Sequence, residues 1–496
     1  MQLWFLLLLS AFTYYVIKRS VAGITRTPTW LLWVVMMTPA FVLMFWSVSG
    51  NADKPFPLEV LLGLFVLCPV AYWLLIQRGR IPLKQREQTA VGDTIAPPTR
   101  SEAAKAIAEE ATLRPIDKDE EATLKHCFPW SVYYLQNIEY RPQALICRGQ
   151  LRSAPSVAYE TIKENVTTHF GERFLVLFQE GLNGKPLFVL VPNPEQQTQR
   201  KSARPQKLTR PGVALGLFVT TLFTTTVVGA FIAGVSEQSL QQDPSLFLQG
   251  LPYAVALMII LGVHEFGHYW MARRYKMKAT LPYFIPIPFF LGTFGAFIQL
   301  RSPVPNRRAL FDVGIAGPLA GLVMSVPLLF WGLTQSDIVP MPEDASLLSF
   351  EALNPSASIA LAIFSKLALG SQLTVEDAIH LHPVAVAGCL GLVVTALNLM
   401  PVGQLDGGHI VHAMYGQRMG ALIGQICRFL VLGLTLVHSE LLIWAILLFF
   451  IPTVDEPALN DVSELDNKRD LWGLAALTIL VLIVLPTPGA LQALLF

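Results

Sequence analysis

Apolar runs separated by short polar connectors dominate the chain. They fall at roughly 3–17, 28–49, 57–76, 212–234, 251–272, 311–333, 383–400, 420–438, 440–452 and 471–487. A membrane-crossing helix needs about 20 mostly apolar residues. The pattern therefore predicts a polytopic α-helical membrane protein of eight to ten spans. The run 440–452 is short and suits a re-entrant hairpin with the run before it. The first run has no positive residue ahead of it, is followed by Lys18 and Arg19, and lacks a small-residue cleavage site. It reads as a retained membrane helix rather than a removed signal.

One stretch departs from this pattern. Residues 78–210 hold most of the charge. Segment 78–120, rich in Ala, Glu, Lys and Pro, reads as a linker with some helix. Segment 121–210 reads as a small soluble α+β domain, with strands near 142–151, 173–180 and 186–192 and an amphipathic helix near 154–170. The division is thus N-terminal membrane helices 1–77, linker 78–120, soluble domain 121–210 and a second membrane-embedded domain 211–496.

Composition agrees with the pattern. Hydrophobic residues make up 53% and charged residues 14%, against roughly 25% charged in globular chains, so most of the surface meets lipid. A net charge of +1 gives no field to attract nucleic acid. The five cysteines form no CxxC pair, which argues against a disulfide framework or a thiolate zinc site. Lys and Arg cluster after 17, 77 and 272 and before 211, which places those loops and the soluble domain on the cytoplasmic side. The acidic segment 453–470 falls on that same side, against the trend.

The chemistry concentrates in two strings. HEFGH, residues 264–268, lies inside an apolar run. On a helix, His264 and His268 share one face, and Glu265 lies beside them. Two imidazoles and a third ligand leave a zinc position open to water, whose proton the glutamate can take. Ionisable groups at membrane depth are costly and mark function; the bland alternative is a buried polar cluster for helix packing or a proton path. The second string is NLMPVGQLDGGH, residues 398–409. Asp406 is the only acidic residue between Asp377 and Glu440, and is the natural third metal ligand. Asn398 can donate a hydrogen bond into the site, or serve only as a helix cap or packing amide.

Together these strings resemble the site-2 protease family of intramembrane metalloproteases, over about 212–452. The resemblance implies one zinc ion per chain, bound by His264, His268 and Asp406, with Glu265 activating water and Asn398 near the active site. Segment 211–496 then becomes a membrane-embedded metalloprotease domain. The three leading helices and the α+β insert look most like the cyanobacterial and chloroplast branch, named for ethylene-dependent gravitropism-deficient and yellow-green plants. That implies a plasma or thylakoid membrane, an active site toward the cytoplasmic side, and single-span membrane proteins as substrates within the lipid bilayer. Oligomeric state is open.

Segment 281–303 alternates and is rich in Pro and Gly, which predicts a hairpin dipping into the membrane. Its strand edge could receive an unwound substrate, or it could only plug a cavity. GIAGPLAG at 314–321 predicts a close helix contact. His409 could orient a ligand or be a loop residue; His412 and the other histidines carry no assigned role. A metal-ion transporter and a non-catalytic membrane chaperone are the competing functions.

Overall fold

The computed structural model describes residues 27–46, part of 67–79, 116–141, 144–181, 184–193, 210–287, 291–341, 352–375, 377–435, 441–496 and scattered positions before 27. The chain divides into two units, 1–107 and 108–496. In the first unit, α1 (Thr29–Trp46) is apolar throughout. Its Trp33 Nε1 donates to the Ser10 carbonyl at 3.0 Å, and Leu32 is fully buried. Most of the expected spans 3–17 and 57–76, and most of the 78–120 linker, lie outside the described residues.

In the second unit, α2 (Lys118–His126) leads into a four-stranded antiparallel sheet of order β1-β2-β4-β3. The strands are β1 (Tyr133–Arg141), β2 (Ala144–Leu151), β3 (Phe174–Glu180) and β4 (Pro186–Pro192). Helix α3 (Pro155–Phe170) buries Ala158, Tyr159, Ile162 and Val166 in the same core as the sheet. Phe178 stacks on Phe188 with ring centroids 4.2 Å apart. Strand β3 is an edge in this order, yet its edge is covered. Phe178 N donates to the Leu459 carbonyl at 2.7 Å, and Asp461 N donates to the Phe178 carbonyl at 2.9 Å.

The remaining elements are mostly helical. They are α4 (Pro211–Ile232), α5 (Leu251–Arg274), α6 (Arg307–Thr334), α7 (Ile359–Leu369) and α8 (Pro383–Leu399). The series continues with α9 (Asp406–Tyr415), α10 (Gln417–Leu434), α11 (Leu442–Phe450), α12 (Asn467–Val484) and α13 (Gly489–Leu495). Among the described residues four helical runs are long and apolar enough to cross a membrane: Thr29–Trp46, Pro211–Ile232, Pro244–Arg274 and Arg307–Thr334. The pair α12 and α13, bent by 83°, makes a fifth if counted as one span. Helix α8 has 17 residues and falls short of that length. Side chains such as Val219, Phe223, Val255, Ile259 and Val323 face outward. Such an apolar exterior is stable in hydrocarbon, where helices satisfy their own backbone. The chain is a membrane protein with a small sheet-bearing insert.

Small residues let the central helices touch. Helix α6 lies between α5 and α8. A methyl group built on Gly267 of α5 would sit 2.6 Å from the Ala316 carbonyl oxygen of α6. On the opposite side of α6, one on Gly332 would sit 2.3 Å from Ala385 N, and one on Gly391 of α8 would sit 2.2 Å from Ser325 Oγ. Backbones this close give dense dispersion contact where lipid supplies no hydrophobic drive.

Between α5 and α6 the chain forms a hairpin of β5 (Tyr283–Pro286) and β6 (Thr293–Phe297), pairing Tyr283 with Phe297 and Phe284 with Ala296. It leans on α4: Thr224 Oγ1 donates to the Gly292 carbonyl at 2.7 Å. From α5, Tyr253 Oη donates to the Leu291 carbonyl at 3.0 Å. Gly292 has φ +79°, and a methyl there would lie 2.6 Å from Thr225 Cα. Gly292→Val therefore meets both a left-handed penalty of roughly 1–2 kcal/mol and a backbone clash. Hydrogen exchange of 283–297 should speed up several-fold in that variant, while exchange in the insert sheet stays unchanged.

Candidate metal centre

Helix α5 carries His264, Glu265 and His268 on its buried side. The third group arrives from a chain break. Pro401 ends α8, and Met400 before it is extended, at φ −55° and ψ 127°. After a short turn, α9 starts at Asp406. Gly407 and Gly408 pack that start onto the end of α8: methyls on them would lie 2.0 Å from the Leu399 carbonyl oxygen and 2.1 Å from that of Gly403.

The ligand atoms converge. His268 Nε2 lies 3.2 Å from His264 Nε2. Asp406 Oδ2 lies 3.5 Å from His264 Nε2 and 3.2 Å from His268 Nε2. One atom from each of the three residues falls within 4.8 Å of the others, a set that could hold one metal ion. Two nitrogens and one carboxylate oxygen, with no thiolate, suit zinc and leave a fourth position free. His268 Nδ1 sits 2.8 Å from the Val313 carbonyl oxygen. Nδ1 must carry the proton there, which leaves Nε2 bare toward the centre.

Glu265 is buried, with the Ile298 backbone, just past β6, beside its carboxylate. Asn398, in the last turn of α8, places Nδ2 3.2 Å from His264 Nε2. All five expected site residues thus meet at one place.

GIAGPLAG, read from sequence as a helix contact alone, also forms a wall of this site. A methyl on Gly317 would lie 2.0 Å from His268 Nε2, and one on Gly321 would lie 3.0 Å from His264 Nδ1. The imidazoles lie directly on the bare face of α6. His409 does not reach the ligands by any hydrogen bond shown; its Nδ1 pairs with Asp455 Oδ2 at 2.8 Å. His412, given no role from sequence, is buried between Asp455 and Asp461. The thiols stand apart from this chemistry. Burial pushes Cys127 up to about 11; burial, with Cys127 beside it, pushes Cys147 up to about 12.

Comparison with known proteins agrees with this geometry. Residues 252–437, which span the whole ligand set, match the model of peptidase family M50. This segment is similar to M50 peptidase domains. Ahead of it, residues 122–199 match the EGY3 middle domain. The chain is related to the EGY proteins of chloroplasts. It is 29% identical over 370 residues to the probable zinc metalloprotease EGY2, chloroplastic, of Arabidopsis thaliana. That alignment takes in 73% of this chain and 64% of the relative. It is 34% identical over 238 residues to EGY1 of the same plant, covering 48% of this chain and 43% of the relative. It is 26% identical over 398 residues to EGY3 of Oryza sativa subsp. japonica, covering 77% and 66%. The chain therefore spans just under two thirds of the length of the EGY2 relatives.

The bare face of α6 gives a sharp test. Gly317→Ala forces His268 off its seat. The purified variant should hold zinc at least tenfold more weakly than the unmodified chain in a chelator competition, in line with the ~10–100-fold cost of disturbing groups that orient ligands. Gly295→Ala, with open space around it but a positive φ, should leave zinc affinity unchanged.

Proposed function

We propose that the chain is a multi-pass intramembrane zinc endopeptidase that hydrolyses peptide bonds of transmembrane substrates. The observation that carries this reading is the meeting of His264, His268 and Asp406 with buried Glu265 beside them. The zinc metalloprotease names of the relatives support it.

Zinc, when bound, supplies Lewis acidity toward water and the scissile carbonyl. The rest belongs to the chain. Glu265 takes the proton of the attacking water on a carboxylate oxygen and returns it to the leaving nitrogen. The Ile298 backbone beside that carboxylate supports this role. Asn398 Nδ2, 3.2 Å from His264 Nε2, is close enough to the centre to take the role of donor to the oxygen that gains charge.

A helical substrate hides its carbonyls, so it must unwind first. Strand β6 is paired on one side by β5, and among the described residues no strand pairs its other side. Its end runs into the Ile298 contact with Glu265. A locally extended substrate can add to that edge through main-chain hydrogen bonds, which brings its backbone beside the general base. A metal-transport reading needs a polar path across the bilayer, whereas Leu251–Val263 of α5, ahead of His264, is apolar. The Lys and Arg pattern supports a cytoplasmic-side centre and insert, and the relatives' chloroplastic names fit a thylakoid membrane.

The test is cleavage of a single-span protein with a Gly- or Pro-weakened helix by the purified chain in detergent. Glu265→Gln should lower turnover by about 10²–10⁴-fold, the usual share of a general base, while zinc content stays at one per chain. Turnover within threefold of the unmodified chain would rule out the assigned role.

A further inference from the structure

The acidic segment that ran against the charge trend holds two buried carboxylates. Asp455 and Asp461 are only 6% and 7% exposed. Buried carboxylates need partners. Asp455 Oδ2 receives His409 Nδ1 at 2.8 Å and His412 Nδ1 at 2.7 Å. Asp461 Oδ1 and Oδ2 lie 2.9 and 3.1 Å from His412 Nε2. Both nitrogens of His412 thus face carboxylates, and both must carry protons. Burial opposes that charge, but Asp455 and Asp461 outweigh it and push His412 up to about 9.

Asp406, His409 and His412 follow one another at three-residue steps along α9. This helix has only ten residues and no side-chain cap at Leu405. So short a helix has little stability of its own. Its last turn is tied further by Arg307 Nε, which donates to the Ala413 carbonyl at 2.8 Å.

The other end of this clamp belongs to the insert. Leu459–Asp461 runs along the edge of β3 through the two Phe178 hydrogen bonds. Leu459 and Val462 pack on the insert core. On its second side the same segment meets the chain just ahead of α6: Leu459 N donates to the Val304 carbonyl at 2.9 Å, and Asn460 N to that of Pro305 at 3.0 Å.

We propose that the insert sets the metal affinity of the membrane-embedded centre: the β3 edge seats Asp461, Asp461 and Asp455 clamp His412, and His412 is the positioning residue that keeps α9, and with it Asp406, on the two histidines. The proposal rests on His264, His268 and Asp406 being the metal centre. It makes the insert part of the site's construction rather than a separate module.

The experiment uses the full chain in detergent with zinc alone as probe. Zinc affinity is measured by chelator competition, and hydrogen exchange is followed over 404–415 and 155–192. His412→Ala and Asp461→Ala should each weaken zinc by about tenfold or more and speed exchange in 404–415. Asp461→Asn keeps an acceptor for His412 Nε2 and should recover most of the affinity. It also serves where an alanine variant fails to fold. Faster exchange in α9 with zinc affinity unchanged would reduce the cluster to ordinary packing and overturn the proposal. A chain that holds zinc no better than its His264→Ala variant would overturn the metal-centre reading itself, and this proposal with it. Tight zinc in the unmodified chain, unaltered by His412→Ala, would overturn the proposal alone.

Discussion

Everything at the metal centre depends on how closely three backbones approach along α6. His264 and His268 belong to α5, and Asp406 to α9, which hangs from the end of α8. None of these elements brings the set together alone. Helix α6 does so by having no side chain at 317 and 321, where the imidazoles lie. It meets α8 equally closely through Gly332 against Ala385 and Gly391 against Ser325. Without a hydrophobic drive between helices in lipid, such contact supplies much of the association energy. One row of missing side chains therefore both joins the bundle and shapes the cavity in which the ligands converge.

A second constraint fixes the carboxylate. Two imidazoles one helical turn apart are pre-arranged by α5, but Asp406 sits on a ten-residue helix after a proline break. Its position is a tertiary fact. The glycines after Asp406 settle the start of α9, and the His409, His412, Asp455 and Asp461 group settles its far end. Charges buried in this way hold geometry only when every partner is present. His412 has both ring nitrogens engaged and Asp455 accepts from two histidines, so the group meets that condition.

The local elements were legible because they follow simple periods. HEFGH states its geometry through i,i+4 spacing, and Asp406 stands out as the lone carboxylate in a long apolar stretch. The insert helix and β2, β3 and β4 fall where their alternation puts them, and the 281–303 segment forms the expected hairpin. Strand β1 was not legible. It is half exposed along its length and carries a register shift between Leu135 and Asn137, which blurs its alternation. The role of Gly317 and Gly321 was only half legible, since a small-residue stripe announces contact without saying what lies against it. The His412 clamp was invisible, because its partners lie 43 and 49 residues away and no local pattern encodes that pairing. The expected eight to ten spans compare with four or five sufficiently long helices among the described residues, where α8 and α11 are short and most of two expected runs lies outside that set.

The borrowed strand at Leu459–Asp461 also bears on assembly. Residues 116–193 leave the ribosome well before residue 459 does, so β3 emerges with its outer hydrogen bonds open. An open edge is a site for wrong partners. The sheet is finished only when the later helices have formed and the returning chain lies down beside Phe178. A molecule whose bundle stalls partway therefore keeps that edge open to wrong partners.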